Sequence, residues 1–396
     1  MHVAFDSRKV QKGSLFFALP GKKVDGHQFL KEAQKNGATE AVVSTLYKGP
    51  DHGLILTRVN DPLKKMQSLA RDLIYERNVR IIAITGSVGK TTTKEFIASL
   101  LETKYRIGKT PKNYNTMISL PASIINDTDG KEDFLILEMG LTHKDDIKNL
   151  VSIAPPDIAV LTPVSLVHSI NFESIEEIIE AKAKIFSHTK TSHGITSKKL
   201  LPYIPNKCQS HLAISYQGPF HLPGEHNREN LSLAIKVAEL VGLSDQEIQS
   251  ALPKLTLPER RLEFLKKGDK LFIDDSYNAS LTSMKGALDT LKNQTGRRKI
   301  AVLGDMLELG KWSKEHHKEV GEYALDCCDI LFCLGKECQI MKPIWEKANK
   351  TLYHYTDKNK LLIDLKGTLE KNDAILLKGS NGMQLWTLLE HFPETL

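Results

Sequence analysis

The segment IIAITGSVGKTTTKEF, residues 81–96, constrains the fold of this chain more than any other feature. Four apolar residues run into a loop with two glycines, and a lysine, three threonines and a helix-like stretch follow. A loop of this kind, between a buried strand and a helix, lets backbone N–H groups approach phosphate oxygens. The segment therefore predicts a nucleotide-binding α/β domain built on a parallel sheet.

Individual residues of this loop have separate expected roles. Lys90 is expected to reach the β- and γ-phosphates of a nucleotide, and the Thr91 hydroxyl is expected to bind Mg²⁺. The pattern TGxxGKT is shorter than the common phosphate loop, which has a glycine where this chain has Ile84. A glycine-rich turn without a ligand is the alternative, and the GKTT run after an apolar strand argues against it. The chain has no NKxD segment of the guanine-specific type, so we expect ATP. The predicted ATP-binding residues of the loop are Thr85, Gly86, Ser87, Val88, Gly89, Lys90, Thr91 and Thr92.

Composition and charge exclude several classes of function. The chain has 396 residues, which indicates two or three domains of roughly 100–200 residues each. The net charge of +6 is spread along the chain, so it indicates attraction to anionic small molecules and no nucleic-acid partner. No apolar run approaches the roughly 18 residues of a membrane span, and the N-terminus lacks the apolar core of a secretory signal. We expect a cytoplasmic enzyme without membrane insertion.

Four of the five cysteines lie close together in CCDILFCLGKEC, residues 327–338. Their spacing matches no zinc pattern such as paired CxxC motifs. Free cysteine behaves as a small buried hydrophobe. We therefore expect a buried strand in this segment and no metal site.

Strand and helix patterns divide the chain into three units. The first unit, residues 1–78, has strand, helix and strand patterns in turn. The central unit, residues 79–258, alternates short apolar runs with loops and helical stretches, which is typical of a parallel sheet with helices on its faces. The third unit, residues 259–396, repeats this alternation and resembles a second doubly wound, Rossmann-like sheet. The predicted fold is therefore α/β with three domains.

Polar side chains at two strand ends of the central unit are candidates for a metal site. Glu138 ends the apolar run DFLILEM, and His168 follows the run DIAVLTPV. The carboxyl ends of parallel strands form the ligand-binding edge of an open sheet, so both residues are expected to face the phosphate loop. Carboxylate oxygens suit Mg²⁺. The alternatives are an exposed strand-end carboxylate and an ordinary loop histidine.

Lys182 has an unusual position in the predicted helix SIEEIIEAKAKIF. The apolar stripe of this helix includes position 182, whereas Lys184 falls off the stripe. Ser174 and Glu177 have the spacing of a capping box, which supports this helical register. A lysine on an inward stripe must snorkel to water, pair with an anion or be modified, and snorkelling is the commonest outcome.

Several segments resemble those of the Mur ligases, the ATP-dependent amide-forming enzymes of peptidoglycan synthesis. The DSYNAS and LGDMLELG segments are the most specific, and they most resemble members that join D-alanyl-D-alanine to UDP-N-acetylmuramoyl-tripeptide. The DYAH-type and DNPR-type segments usual in members that add the third amino acid are missing from the sequence. The similar segments run through the whole chain: DSRKVQKGSLFFALPGKKVDGH, TGSVGKTTTK, LEMG, EAKAKIF, PGEHNRENLSLA, RLEF, DDSYNASLTSM, VLGDMLELG and LLKGSNGM.

The resemblance implies that each of the three units binds a different part of the substrates. The first unit would bind the UDP-sugar end of the substrate, with Ser7 and Arg8 near its nucleotide. The central unit would bind the ATP phosphates, and the third would close over ATP and help to bind D-alanyl-D-alanine. The implied ATP contacts outside the loop are Asn115 near the phosphates, Asn227 and Asn230 by the adenine, Arg261 at the γ-phosphate, and Asp275 and Asn278 at the ribose and base.

The resemblance also implies the chemistry. The γ-phosphate would pass to the free carboxylate of the tripeptide, and the amine of D-alanyl-D-alanine would attack the resulting acyl phosphate. Two Mg²⁺ ions and two cationic side chains would offset the repulsion between the anionic substrates. The segment EAKAKIF matches the family segment with a carbamylated lysine, so carbamylated Lys182 is expected to bind the second Mg²⁺. We expect a monomer with small-molecule substrates. The implied catalytic residues are Lys90, Glu138, His168, Lys182 and Arg261, of which Glu138, His168 and Lys182 would join Thr91 as metal ligands.

Some segments depart from the family pattern. The stretch of residues 187–223 is short, the chain begins almost at the DSR motif, and Asn381 stands where the family usually has arginine. Thr116 and Ser119 also replace the usual asparagine and glycine of another loop. Two alternatives stay open: an amide ligase similar to folylpolyglutamate synthase, against which residues 1–78 argue, and a nucleotide-binding scaffold derived from a ligase but without activity.

Overall fold

The structure is a computed structural model that describes residues 2–21, 24–111, 114–166 and 169–393. Along these ranges the strands form three sheets, one in each predicted unit. The predicted α/β fold is therefore confirmed. The unit boundaries near residues 78 and 258 stay a prediction.

The first unit contains a sheet and flanking helices, in the chain order β1 Val3–Ala4, β2 Leu15–Phe17, α1 Leu30–Lys35, β3 Glu40–Ser44, β4 Ile55–Val59 and α2 Pro62–Arg77. The sheet is parallel with the order β1-β2-β3-β4. Phe16 and Phe17 of the predicted strand SLFFAL are fully buried. Asp61 caps α2 by accepting the N–H of Lys64, and α2 ends at Asn78 in the left-handed conformation.

The central unit alternates strands and helices, in the chain order β5 Arg80–Thr85, α3 Lys90–Leu101, β6 Ile107–Lys109, α4 Ser119–Asn126, β7 Phe134–Glu138, α5 Asp146–Ile153, β8 Ile158–Leu161, α6 Ile175–Ala183, β9 His193–Thr196, β10 Gln209–Leu212, α7 Glu225–Leu240 and α8 Asp245–Ala251. Its sheet is parallel with the order β10-β9-β8-β5-β7-β6. The chain passes to one side of β5 first and returns to the other side with β8. This reversal opens a ligand-binding crevice at the carboxyl end of β5.

The residues of β5 explain why its sequence is continuously apolar. Ile81 and Ala83 pack in one core, and Ile82 and Ile84 pack in a second core on the opposite face. A parallel strand that is covered on both faces needs apolar residues at every position. The phosphate loop therefore starts from a strand that is held from both sides.

The third unit has the chain order β11 Glu263–Lys267, β12 Lys270–Asp274, α9 Leu281–Lys292, β13 Lys299–Gly304, α10 Ser313–Ala324, β14 Ile330–Leu334, α11 Lys342–Lys347, β15 Thr351–Tyr355, α12 Lys358–Thr368 and β16 Ala374–Lys378. The sheet order is β11-β12-β16-β13-β14-β15. The β11–β12 pair is antiparallel, and the other pairs are parallel. The doubly wound sheet predicted here thus has an antiparallel edge strand in addition.

The cysteine-rich segment is a buried strand, as predicted. Cys333 lies within β14, and Cys327, Cys328 and Cys338 are buried beside it as free thiols. Burial raises the pKa of the Cys327 thiol to about 11, which keeps this thiol protonated near neutral pH.

Within the described ranges, no helix is both long enough and apolar enough to cross a lipid bilayer.

Candidate active site

A cavity of about 670 Å³ lies between the central and third units. It meets the carboxyl ends of β5, β7, β12 and β16 and the start of α7. These strand ends come from two different sheets, so the cavity is shared by two units. Its lining includes these predicted site residues: Ser87, Val88, Gly89, Lys90, Thr91, Thr92, Asn115, Glu138, Lys182, Asn227, Asn230, Arg261, Asp275 and Asn278.

Other predicted site residues do not line this cavity. Thr85 is buried, and its hydroxyl donates to the Met139 carbonyl at 2.8 Å. The Gly86 carbonyl accepts hydrogen bonds from the lining residues Lys90 and Lys182. His168 lies outside the described residues, so its place in the site stays a prediction.

The two glycines of the phosphate loop are required by close contacts. Gly86 has φ +154°, and a Cβ there would lie 1.8 Å from Oγ1 of Thr162. Gly89 has φ +84°, and a Cβ there would lie 2.1 Å from Oδ1 of Asn230. Any larger residue would push the loop away from β8 or from α7. The loop geometry thus depends on both glycines.

The loop amides divide into two groups. The N–H groups of Ser87 and Val88 donate to the Pro163 carbonyl at 3.0 and 3.2 Å, which ties the loop to the segment after β8. Helix α3 begins at Lys90, and the first N–H groups of a helix have no partner within the helix. The start of α3 is therefore the part of the loop suited to bind an anion.

Lys90 lies at the floor of the cavity. Its Nζ donates to the Gly86 carbonyl at 3.0 Å and to the Ser87 carbonyl at 3.2 Å. Burial lowers the pKa of Lys90, and the positive charge of Arg261 lowers it further, whereas Glu138 acts in the opposite direction. An anion in the cavity would relieve this electrostatic cost, because it would favour the charged form of the amine.

Glu138 links the strand end of β7 to the phosphate loop. One carboxylate oxygen accepts a hydrogen bond from the Thr91 hydroxyl at 2.8 Å, and the other accepts one from Nδ2 of Asn115 at 2.8 Å. The side chain is 2% exposed, so the alternative of an exposed strand-end carboxylate is wrong. Carboxylate and hydroxyl oxygens brought together in this way form a donor set suited to Mg²⁺.

Lys182 points inward from α6, as its helical register predicted. The residue is 3% exposed, and its Nζ donates to the Gly86 carbonyl at 2.8 Å. Snorkelling to water is therefore excluded. Burial lowers the pKa of Lys182 well below its usual value, and the neighbouring charge of Lys90 lowers it further. Lys90 and Lys182 share one carbonyl oxygen, so two amines crowd the same side of the cavity.

The predicted capping box at the start of α6 is only half correct. Ser174 does accept the N–H of Glu177, at 3.3 Å. The Glu177 carboxylate, however, accepts the N–H of Glu173 at 2.9 Å and also pairs with Lys144, so it does not close the reciprocal bond to Ser174. The ion pair with Lys144 therefore takes the place of the expected hydrogen bond between the Ser174 N–H and the Glu177 carboxylate.

The asparagines of α7 lie against the loop. Both Asn227 and Asn230 are buried. Asn230 accepts a hydrogen bond from the Thr93 hydroxyl at 3.3 Å and donates to Oδ1 of Asn227 at 3.3 Å. Asn227 in turn donates to the Pro223 carbonyl at 2.7 Å. These bonds hold the start of α7 beside the start of α3.

The third unit supplies the opposite wall of the cavity. Nη2 of Arg261 donates to the Thr91 hydroxyl at 3.2 Å, and its guanidinium lies 4.3 Å from the ring centre of Tyr277. The buried ammonium of Lys378 pairs with the Asp275 carboxylate at 2.5 Å and donates to the Asn278 carbonyl at 3.0 Å. Lys378 therefore orders the loop that presents the predicted ribose and base contacts.

Ser7 and Arg8 lie in the first unit, away from this cavity. The Ser7 carbonyl accepts a hydrogen bond from Nδ2 of Asn36 at 2.9 Å. The exposed Arg8 guanidinium pairs with Asp6, and this hydrogen bond lowers the pKa of the Asp6 carboxyl. Their expected contact with the UDP end of a substrate stays a prediction.

Asp305, His317 and Cys338 form a buried cluster with the donor types of a metal site. Nε2 of His317 accepts the N–H of Met306 at 3.0 Å, and Nδ1 donates to the Ser313 carbonyl at 2.7 Å. Asp305 accepts the N–H of Cys338 at 2.9 Å. Because both imidazole nitrogens already have protein partners, the cluster braces the turn after β13 and has no free imidazole lone pair for a metal.

Three family models match the chain: the Mur ligase family catalytic domain over residues 2–51, the Mur ligase middle domain over residues 84–201, and the Mur ligase glutamate ligase domain over residues 260–381. The UDP-N-acetylmuramoyl-tripeptide–D-alanyl-D-alanine ligase of Bacillus subtilis (strain 168) is 33% identical over 429 residues. That alignment covers 99% of this chain and 93% of the relative. The chain belongs to the Mur ligase family.

Solved structures of Mur ligases share the fold. A crystal structure of MurF from Acinetobacter baumannii superposes with a TM-score of 0.87 at 25% identity, over 98% of this chain and 92% of that chain. A crystal structure of the MurF ligase from Thermotoga maritima in complex with ADP superposes with a TM-score of 0.84 at 29% identity, over 98% of this chain and 96% of that chain. The predicted arrangement of N-terminal, middle and C-terminal Mur ligase domains is thereby confirmed.

The residues that line the cavity of this Mur ligase but were not predicted include His226, Tyr277 and Lys378. Lys378 ends the apolar run AILLK in the way that Glu138 ends FLILE. A charged residue at the end of an apolar run could therefore have identified Lys378 as a site residue from the sequence. His226 and Tyr277 lie next to predicted residues and have no distinguishing sequence feature of their own. Burial lowers the pKa of His226, which favours a neutral imidazole in the cavity.

Proposed function

We propose that this chain joins D-alanyl-D-alanine to UDP-N-acetylmuramoyl-tripeptide and converts ATP into ADP and phosphate. One observation carries the proposal: a single cavity brings together Lys90, Glu138 and Arg261 from the central unit and the linker to the third. Similarity to ligases of that name over nearly the full chain supports the same conclusion. The structural neighbour in complex with ADP supports ATP as the nucleotide.

The first step transfers the γ-phosphoryl group. An oxygen of the tripeptide carboxylate attacks the γ-phosphorus, the bond between that phosphorus and the bridging oxygen breaks, and ADP leaves. Two anions must approach each other for this step. Lys90 and Arg261 offset their repulsion from two sides of the cavity, since one cation lies on the phosphate loop and the other contacts Thr91 from the linker.

The second step forms the amide. The amine of D-alanyl-D-alanine attacks the acyl carbon, a C–N bond forms, and the C–O bond to phosphate breaks as the amine loses a proton. The acyl phosphate is also open to attack by water. Closure of the third unit over the cavity excludes water from the acyl phosphate during this step.

The residues present fit a magnesium ion beside the phosphate loop. The Thr91 hydroxyl and the Glu138 carboxylate lie 2.8 Å apart, and Asn115 orients the second carboxylate oxygen. When bound there, Mg²⁺ supplies positive charge to the phosphate oxygens. Glu138 and Thr91 are the residues that would hold it.

Lys182 is proposed to be carbamylated. The neutral amine attacks CO₂, a C–N bond forms and a proton is lost, which converts the amine into a carboxylate on a long arm. Burial of Lys182 supports this proposal because its lowered pKa increases the neutral fraction. The new carboxylate would offer oxygen ligands for a second Mg²⁺, beside Glu138 and, by the family resemblance, His168.

The test is an assay of ADP formation by the purified chain with each substrate omitted in turn. We expect ADP only when the UDP-tripeptide and D-alanyl-D-alanine are both present. ADP formation with a folate and glutamate would favour the alternative ligase, whose solved relatives are 14–15% identical and share the fold alone. ATP binding without ADP formation under any of these conditions would favour the inactive scaffold.

A further inference from the structure

The linker into the third unit has an unusual backbone around Arg261. Arg260 has φ +59° and Leu262 has φ +51°, so both neighbours of Arg261 are in the left-handed region. This region is unfavourable for residues with a Cβ and persists only where surrounding contacts impose it. The linker therefore needs contacts that hold it in this turn.

Arg260 is held at its backbone and at its side chain. Its N–H donates to the Glu263 carboxylate at 3.2 Å, and its carbonyl accepts the N–H of Tyr277 at 3.2 Å. Its guanidinium lies 4.1 Å from the ring centre of Trp386, which is a cation–π distance. Trp386 belongs to the C-terminal segment after β16, so the contact ties the linker to the far end of the chain.

Leu262 is held on the other side of Arg261. Its side chain is buried, and its N–H donates to the Asp275 carboxylate at 3.2 Å. The backbone hydrogen bonds of Arg260 and Leu262 thus join the linker turn to the third unit. The Arg261 side chain reaches across the cavity, where it contacts Thr91 of the phosphate loop.

The Arg261 guanidinium can donate a further hydrogen bond. Its guanidinium lies over the Tyr277 ring, and Nη2 donates to Thr91. Its Nε is buried and has no hydrogen-bond partner among the residues that the structure describes. A buried guanidinium N–H that faces a cavity is suited to an anionic oxygen of a ligand.

We propose that Trp386 is a positioning residue for phosphoryl transfer. Through its contact with Arg260 it stabilises the left-handed turn of the linker, and the turn aims Arg261 at the γ-phosphate. Trp386 itself is not among the residues that line the cavity, so it acts only through Arg260. The inference rests on the proposed function in one respect, the assignment of Arg261 to the γ-phosphate.

The experiment compares Trp386→Leu, Trp386→Phe, Arg260→Met and the Trp386→Leu/Arg260→Met double variant. Each is measured for kcat, for the KM of ATP and for the affinity of a non-hydrolysable ATP analogue. We expect Trp386→Leu and Arg260→Met each to lower kcat/KM for ATP by about tenfold. A loss of this size corresponds to the energy of one partly desolvated cation–π contact. Trp386→Phe keeps an aromatic face and should stay within about twofold of wild type. The double variant should be no worse than either single variant, because both break the same contact.

Lys366→Met is the matched control. It removes the cation of another cation–π pair in the third unit, 5.8 Å from the Phe392 ring, and should leave kcat and KM unchanged. Thermal unfolding of every variant reports whether the fold is intact. If Trp386→Leu does not fold, Arg260→Met alone tests the contact.

Wild-type kinetics in Arg260→Met would overturn the proposal, and so would additive losses in the double variant. Equal damage from Trp386→Phe and Trp386→Leu would also contradict it, since the contact needs only an aromatic face. If the wild-type chain forms no ADP with both substrates, the proposed function fails. In that case the affinities of the variants and the wild type for the ATP analogue still test whether Trp386 positions Arg261.

Discussion

The two walls of the cavity are built in different ways. The phosphate-loop wall, residues 87–92, is one short stretch that follows β5 and runs into the first turn of α3. The third-unit wall, formed by Arg261, residues 275–278 and Lys378, depends on contacts between distant parts of the chain. Lys378 and Asp275 are 103 residues apart, and Arg261 and Thr91 are 170 residues apart. The comparison teaches that the first wall is contiguous in sequence and can be recognised as a motif, whereas the second is assembled from separate segments and depends on how the third unit is docked and held.

Lys90→Ala should have the largest effect, and it tests the phosphate-loop wall. The change removes a positive charge from the place where the phosphates are proposed to bind. We expect ADP formation to fall below about a tenth of wild type, since one such group contributes roughly 10²–10³ in rate. The control is Lys184→Ala, which changes an exposed lysine just after α6. Activity above a tenth of wild type in Lys90→Ala would contradict the assignment.

Lys182→Ala should also reduce activity strongly, because it removes the proposed carbamate. Acetate or another short carboxylate should restore part of the activity of this variant and leave the wild type unchanged. Nuclear magnetic resonance after incubation with carbon-13-labelled bicarbonate should give a carbamate signal in wild type and none in Lys182→Ala. A variant as active as wild type, or a wild-type protein without the signal, would exclude carbamylation as the function of Lys182.

Lys378→Met should destabilise the third-unit wall. It leaves the Asp275 carboxylate largely buried without its cation, and breaking a buried pair in this way costs about 3–5 kcal/mol of unfolding free energy. Adding Asp275→Asn should recover part of that loss because the unpaired charge is removed. Chemical denaturation of both variants measures the difference. Equal stability of the single and double variants would mean that the pair does not couple the two segments.

Closure of the third unit over the cavity on ligand binding should give the smallest measurable effect. If the third unit carries Arg261 towards the phosphates, an ATP analogue together with UDP-tripeptide should decrease the radius of gyration in solution X-ray scattering. The Lys90→Ala variant should change less under the same conditions, since it binds the phosphates more weakly. An unchanged radius of gyration in wild type at saturating ligand would mean that the third-unit wall is as fixed as the phosphate-loop wall.

The parts of the site that the sequence predicts are those that depend on neighbouring residues. Apolar runs predicted β5 and β7, and helical spacing predicted that Lys182 points inward while Lys184 is exposed. Each of these depends on strand or helix periodicity alone. The cysteine-rich strand β14 follows from the same kind of reasoning.

The parts that the sequence does not predict depend on packing between distant segments. The Glu177 carboxylate was expected to cap Ser174, but its ion pair with Lys144 draws it elsewhere. Tyr277 lies beneath Arg261 only because the linker turns back onto the loop after β12. The left-handed backbone of Arg260 likewise has no signature in its residue type. These contacts require segments that are separated in sequence to pack against one another, which periodicity does not specify.

The origin of the oxygen atoms in the released phosphate tests the central claim most directly. UDP-tripeptide with oxygen-18 in its free carboxylate is incubated with the chain, ATP and D-alanyl-D-alanine, and the phosphate is analysed by mass spectrometry. The account predicts that one carboxylate oxygen appears in phosphate, because that oxygen attacks the γ-phosphorus and its bond to carbon breaks when the amide forms. Amide formation with unlabelled phosphate would contradict an acyl-phosphate ligase.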